Sequence, residues 1–297
     1  MIVNSENLGK LRTGFSAAYQ RGLQTVGPTY QRITTVVPAT VKEQRYGWLG
    51  KLPRVREWLG PRVVQNLSEG DYAIKEKPWE LTIGVDRDDI ETDNLGLYPM
   101  MFEEIGESTG SFKDELVWGL LPLGFSTNCY DGQYFFDVDH PVLDANGNFI
   151  SVANTDGGAG APWFLMDTSK VLKPIILQSR RDFGEIVAKD KLTDDNVFDL
   201  NEFRYGVDAR MNVGFGFWQR AWGSKQLPSK ATYKLARESL IGMKGDYGRP
   251  LGVKPNLVVC GASLESYFLE LLNSDRDAAG ATNIYKGTAE LLVCPWL

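Results

Sequence analysis

The amino-acid sequence predicts an α+β protein. Three observations carry that reading: a helical apolar period over residues 5–23 and again over 94–120, extended β-branched stretches between and after them, and a tail in which short apolar strands flank an amphipathic helix. With 43% hydrophobic and 24% charged residues over 297 positions, the chain has enough apolar material for one or two cores and does not have a disordered composition.

The elements follow in order. Leu8, Leu11, Phe15, Tyr19 and Leu23 share one helical face, weakened by Gly9 and Gly14, and Gly27-Pro28 ends the helix. The next segment, QRITTVVPAT, reads as extended. Helix and strand together hold little core, so their apolar stripe must bury on the chain's own body or on a neighbour, and both readings stay open here. Residues 44–93 read as a long antiparallel hairpin turning at Ser68-Glu69-Gly70-Asp71. Its outgoing half, 42–62, carries six basic and two acidic residues, and its returning half, 63–93, carries nine acidic and three basic ones. A two-stranded ribbon with Trp48, Trp58 and Trp79 needs a surface to lie on.

Met101, Ile105, Phe112, Leu116 and Leu120 predict a long helix over 94–120, with Gly110 as its weak point and Pro122 as its stop. The acidic run Asp86, Asp88, Asp89, Glu91, Asp93 is expected at its N-terminus, where the helix dipole favours negative charge. Residues 125–162 read as turns and short strands, with strands expected near 173–178, 184–188 and 204–217. A helix over 229–243, strands at 256–260 and 290–294 and a helix over 263–272 complete the tail.

Charge and composition exclude several functions. The net charge of −6 argues against a generally basic nucleic-acid binder, although residues 1–62 carry +7. That basic segment has no run of adjacent basic residues, which favours protein contact over nucleic acid. The longest apolar run, Leu116 to Phe125, is too short to span a membrane, and the first residues lack the pattern of a secretory signal, so a soluble cytoplasmic product is expected. Cys129, Cys260 and Cys294 form no CxxC pair and are expected to be buried thiols.

Catalytic signatures are absent: there is no P-loop, no G-x-S-x-G elbow and no HExxH, and His140 is the only histidine. Gly214 and Gly216 begin a dinucleotide fingerprint that Gln219 breaks, and Gly157, Gly158 and Gly160 read as a flexible turn. Tyr205, Phe215, Phe217, Trp218 and Trp222 suit a core more simply than a base-stacking surface. The loop holding Asp137, Asp139, His140, Asp144 and Asn146 departs from the calcium-loop pattern, since Gly147 follows Asn146 at once and no closing glutamate is present. No catalytic residue, metal ligand or cofactor site is assigned. The strongest alternative is a metal-dependent hydrolase centred on Asp137, Asp139 and His140, followed by a polyanion- or carbohydrate-binding module using the basic ribbon.

Six stretches carry a family resemblance: WLGKLPRVREWLG at 48–60, KPWELTIGVDRDDIETDNLG at 77–96, CYDGQYFFDVDHP at 129–141, FRYGVDARMNVGFGFWQRAWGS at 203–224, GRPLGVKPNLVVCGASLE at 248–265 and NIYKGTAELLVCPWL at 283–297. In these the chain resembles the major head subunits of Mu-like phages and prophages, a group of tailed-phage major capsid proteins. The resemblance implies an HK97-like major capsid fold: N-terminal arm (1–43), extended E-loop hairpin (44–93), peripheral domain with a long spine helix (94–225) and axial domain (226–297). It implies no enzyme activity and no cofactor.

The function so implied is an icosahedral shell of hexamers and pentamers of the same chain that encloses double-stranded DNA without sequence-specific binding. A scaffold or protease, a portal and decoration proteins are expected partners, and no membrane is involved. The protein is expected in the virion, assembled in the host cytoplasm. Arg54, Arg56, Trp58, Arg62 and Trp79 of the ribbon and Leu8, Leu11 and Phe15 of the arm are the expected subunit contacts.

Overall fold

Asn4, whose side chain accepts a hydrogen bond from the Asn7 N–H, caps the first helix, α1 (Ser5–Thr25). The computed structural model describes residues 3–47, 49, 72–92, 96–276 and 280–297. After α1 come β1 (Thr34–Pro38), β2 (Glu43–Arg45), β3 (Ala73–Lys75), β4 (Lys77–Asp86), the short helix α2 (Arg87–Glu91) and the long helix α3 (Tyr98–Leu123). A series of short strands follows: β5 (His140–Leu143), β6 (Phe149–Val152), β7 (Thr155–Gly158) and β8 (Trp163–Met166). Then come β9 (Ile175–Arg181), β10 (Val187–Lys189), α4 (Asp195–Leu200), β11 (Glu202–Phe215), β12 (Ala221–Lys225) and α5 (Lys230–Ile241). The chain closes with β13 (Lys244–Gly245), β14 (Arg249–Pro250), β15 (Leu257–Cys260), α6 (Glu265–Asn273) and β16 (Glu290–Val293).

Two five-stranded sheets organise the molecule. The first runs β1-β9-β11-β10, with β4 also paired to β11. Its axis is β11, whose inward positions Phe203, Tyr205, Val207, Ala209 and Met211 alternate with half-exposed residues, as expected for a strand with one covered face. The second runs β16-β15-β8-β12-β7. All four residues of β8 (WFLM) and of β15 (LVVC) are buried, the pattern of strands covered on both faces.

Three sequence expectations change. Beyond the hairpin base formed by β2 and β3, the returning limb leaves the ribbon: from Lys77 it pairs antiparallel with β11 over ten residue pairs, and so belongs to the body's first sheet. Pro78 suits that place, because β4 pairs on one side only among the described strands and can spare an N–H. The acidic run does not open the long helix. Asp86 caps α2, with Asp88 and Asp89 in its first turn, while α3 has no acid in its first turn and carries Pro99 there instead.

Pro122 lies in the last turn of α3, which ends one residue later at Leu123, and the helix runs through Gly110 without a break. The tail shares its sheet: β15 lies between β16 and β8, so strands from residues 155–166 and 221–225 complete it. Among the described residues no helix is long and apolar enough to cross a membrane. All three cysteines are buried free thiols.

Candidate functional site

The arm is the first region on which an assembly function would draw. Helix α1 packs lengthwise on α3, and glycines make the approach possible: a Cβ on Gly22 would stand 1.9 Å from the Glu103 carbonyl oxygen, and one on Gly106 2.1 Å from that of Tyr19. One turn further on, Phe15 stacks on Phe102 at 4.3 Å and meets the edge of Tyr205 at 5.5 Å. Burial among these rings pushes the Tyr205 hydroxyl pKa well up.

Beyond α1, one carboxylate holds the bend. Oδ1 of the buried Asp114 accepts from the Thr29 N–H (3.0 Å), the Thr29 hydroxyl (2.7 Å), the Tyr30 N–H (2.6 Å) and the Trp118 indole N–H (3.2 Å). The chain then enters β1, parallel to β9, and Arg32 reaches across to Glu290 of β16 as a two-pronged ion pair. The arm is therefore tied to α3, to the first sheet and to the edge of the second.

The hairpin base is the second region. Tyr46, Leu49, Ile74, Ile176 and Phe217 form a small core beneath β2 and β3. The Tyr46 hydroxyl donates to Gln178 at 3.0 Å, the Tyr72 hydroxyl accepts the Phe215 N–H at 2.8 Å, and Arg180 forks onto Glu76 at 2.6 and 2.9 Å. The Arg180 guanidinium holds the Glu76 carboxyl below the ordinary glutamate range.

The structure distributes the expected contact residues unevenly. Leu8 and Phe15 are buried inside this chain, each only 2% exposed, with Leu11 half-buried at the edge of the same cluster. They make intrachain contacts here, because the period that marks an amphipathic helix does not say which surface covers it. Trp79 is half-buried, edge-on to Phe112 at 4.8 Å, and its indole N–H donates to the Met211 carbonyl at 3.0 Å. Arg54, Arg56, Trp58 and Arg62 lie outside the described residues.

The Asp137, Asp139 and His140 loop does not converge on a reaction centre. The His140 ring is fully buried and stacked on Trp218 at 3.8 Å, with Nδ1 2.7 Å from Asp131 and Nε2 3.2 Å from Asn154. Asp137 accepts from the backbone N–H groups of Tyr134 and Val138, and Asp139 accepts from the Ser151 hydroxyl. Asp137 is occupied by its own turn and Asp139 by β6, so neither carboxylate aims at a substrate.

Other features were not legible in the sequence. Phe198 on α4 is 88% exposed, Val171 87%, Phe149 at the start of β6 78% and Ile284 74%, on separate stretches of the chain. Short irregular segments gave them no period; the only signal for α4 was the Asp194-Asp195 pair, which matches a helix start.

Comparison with known proteins identifies the family. The model of the family Mu-like prophage major head subunit gpT matches residues 8–297. The chain is 38% identical to the major capsid protein of Escherichia phage Mu over 306 residues, covering 100% of both chains. The procapsid of bacteriophage JBD30 contains a similar chain: TM-score 0.88 and 40% identity, over 99% of this chain and 100% of that one. The JBD30 capsid decorated with minor capsid protein trimers contains another, with TM-score 0.77 and 31% identity over 94% and 93%. The chain belongs to the family of Mu-like prophage major head subunits: it has the HK97-like α+β fold and is a structural capsid protein that forms the head shell, not an enzyme. The hydrolase alternative falls with that assignment.

Proposed function

We propose that this subunit builds an icosahedral shell of hexamers and pentamers around double-stranded DNA, using the body as a rigid tile and its exposed apolar side chains as the contacts between tiles. One observation carries the reading: a chain that fills three cores of its own still leaves Phe149, Val171, Phe198 and Ile284 at least 74% exposed. Isolated side chains of this kind are common on monomers, but several on separate stretches of the chain suit a subunit with several neighbours. Each contact can be weak, since closure of the shell makes many of them act together.

In this reading residues 1–43 are the arm, 44–93 the E-loop, whose returning limb joins the body's first sheet from Lys77 onward, 94–225 the spine helix and peripheral domain, and 226–297 the axial domain, which borrows the strands at 155–166 and 221–225. Arg54, Arg56, Trp58 and Arg62 act as E-loop contacts, with Trp79 at its root. A net charge of −6 keeps the wall from adhering to packaged DNA. Scaffold or protease, portal and decoration proteins are the remaining partners. The decorated JBD30 capsid supports the last of these by analogy. Assembly takes place in the host cytoplasm, and the product resides in the virion.

The test is negative-stain electron microscopy with sedimentation velocity, on the protein alone and co-expressed with the neighbouring head genes. Closed shells, rings or tubes are expected. Monomers or dimers under both conditions would overturn the proposal.

A further inference from the structure

Among the described residues, one buried cluster of potential metal ligands is not used by the shell-building role. A tight turn, closed by Cys129 N–H to Gln133 O at 2.8 Å and by Gly132 at φ +89°, brings Cys129 and Asp131 together, and β5 adds His140. The Cys129 sulfur, an Asp131 oxygen and a His140 ring nitrogen all lie within 4.8 Å of one another. Cys129 Sγ is 3.0 Å from Asp131 Oδ1, and His140 Nδ1 is 2.7 Å from Asp131 Oδ2. The two carboxylate oxygens thus face two different donors, and thiolate, imidazole and one carboxylate oxygen make a three-atom donor set of the kind zinc accepts, with the fourth tetrahedral position for a water.

The surroundings are those of a metal-binding histidine. A ligating imidazole is normally oriented by a hydrogen bond from its other nitrogen. Here that acceptor is Asn154 Oδ1, 3.2 Å from Nε2. The amide cannot be turned around. Oδ1 also accepts the Asp137 N–H at 2.9 Å, while Nδ2 donates to the Phe135 and Ala221 carbonyls at 2.8 and 3.2 Å. Nε2 therefore carries a hydrogen, which leaves Nδ1 to face the cluster, and Trp218 locks the ring plane.

We propose that Cys129, Asp131 and His140 bind one divalent transition-metal ion of the zinc type. Charge balance supports the exchange. As it stands the cluster holds one proton on the Cys129 thiol and one shared between Asp131 and His140 Nδ1, for a net charge of zero. A dication that displaces both leaves thiolate, carboxylate and neutral imidazole around it, again at zero, so the buried site gains no net charge. Ligand atoms around tetrahedral zinc stand roughly 3.3–3.6 Å apart, from bond lengths of about 2.0–2.3 Å. The ion therefore enters by widening the two short edges by about half an ångström. It would staple the 129–133 turn to β5 and, through Asn154 and Trp218, to the junction of the two sheets.

The experiment is a titration of the full-length, reduced protein with Co(II), read by absorption, with proton release followed in weak buffer. Expected are one ion per subunit, sulfur-to-cobalt charge-transfer absorption with tetrahedral visible bands, and two protons released per ion. Cys129→Ser should remove the charge-transfer band and weaken binding by roughly 100-fold or more, while Asp139→Asn, outside the cluster, should leave both unchanged. Absence of the charge-transfer band in the unmutated protein overturns the proposal, whether or not the serine variant folds. So does a band that survives in Cys129→Ser, which would assign it to Cys260 or Cys294. Neither result depends on shell formation.

Discussion

The arm and the α4 region make opposite use of the same kind of side chain. Phe15 on α1 sits 2% exposed between Phe102 and Tyr205, whereas Phe198 on α4 is 88% exposed. The arm has the look of an extension in the sequence, yet it is docked on α3. Helix α4 is an unremarkable short insertion, yet it presents a phenylalanine to solvent. An apolar residue says that something must cover it; whether that is its own chain or a neighbour depends on what the fold brings alongside.

The sharpest way to break this contrast is Phe15→Ala. If the arm is held by its own body, losing the stacked ring should cost about 3–5 kcal/mol of unfolding free energy in denaturant titration of the isolated subunit. A loss under about 1 kcal/mol would mean that the docked arm contributes little to the body. Gly106→Val probes the same contact from the other helix. A side chain there meets the backbone of Tyr19, which cannot move aside as a side-chain tip can, so a cost of about 1–3 kcal/mol and faster proteolysis within residues 1–28 are expected.

Phe198→Ser sharpens the other half. It should change subunit stability by less than about 0.5 kcal/mol, yet lower the yield of closed particles seen by electron microscopy. Equal yield would remove α4 from the contact surface. The smallest effect concerns the hairpin base. Because Arg180 depresses the folded-state pKa of Glu76, the pair's contribution is complete above the unfolded value, near 4.3. It is lost as pH falls through the folded value. Glu76→Gln should therefore flatten the acid limb of a stability-versus-pH curve and leave the neutral limb with the same slope.

How much was legible follows from the range of each interaction. The helices α1, α3, α5 and α6 were readable because a 3.6-residue period is written within a few turns, and α5 also carries a local signature, with Ser229 and Thr232 forming a capping box. The return of the ribbon was misjudged because strand pairing is not local. Residues 77–86 alternate suitably for a hairpin, and only the presence of β11, more than a hundred residues later, decides that they pair there. The assembly role was legible through the family stretches, while the candidate metal cluster was not: Cys129 and Asp131 are separated from His140 by a turn and a strand start.

By itself, then, the sequence determined the α+β class, the main helices, the absence of a catalytic constellation and the family. These depend on short-range periods and on residue types that any fold of the chain would keep. Only the tertiary structure decided that the arm lies on its own spine helix, that the tail completes its sheet with strands from residues 155–166 and 221–225, and that Cys129, Asp131 and His140 meet. The first two depend on segments far apart in the chain reaching contact distance, and the third on how the 129–133 turn folds back against β5. Close approach, such as the glycine-to-backbone packing of α1 on α3, is a property of pairs of surfaces, and no single stretch of sequence contains both members of the pair.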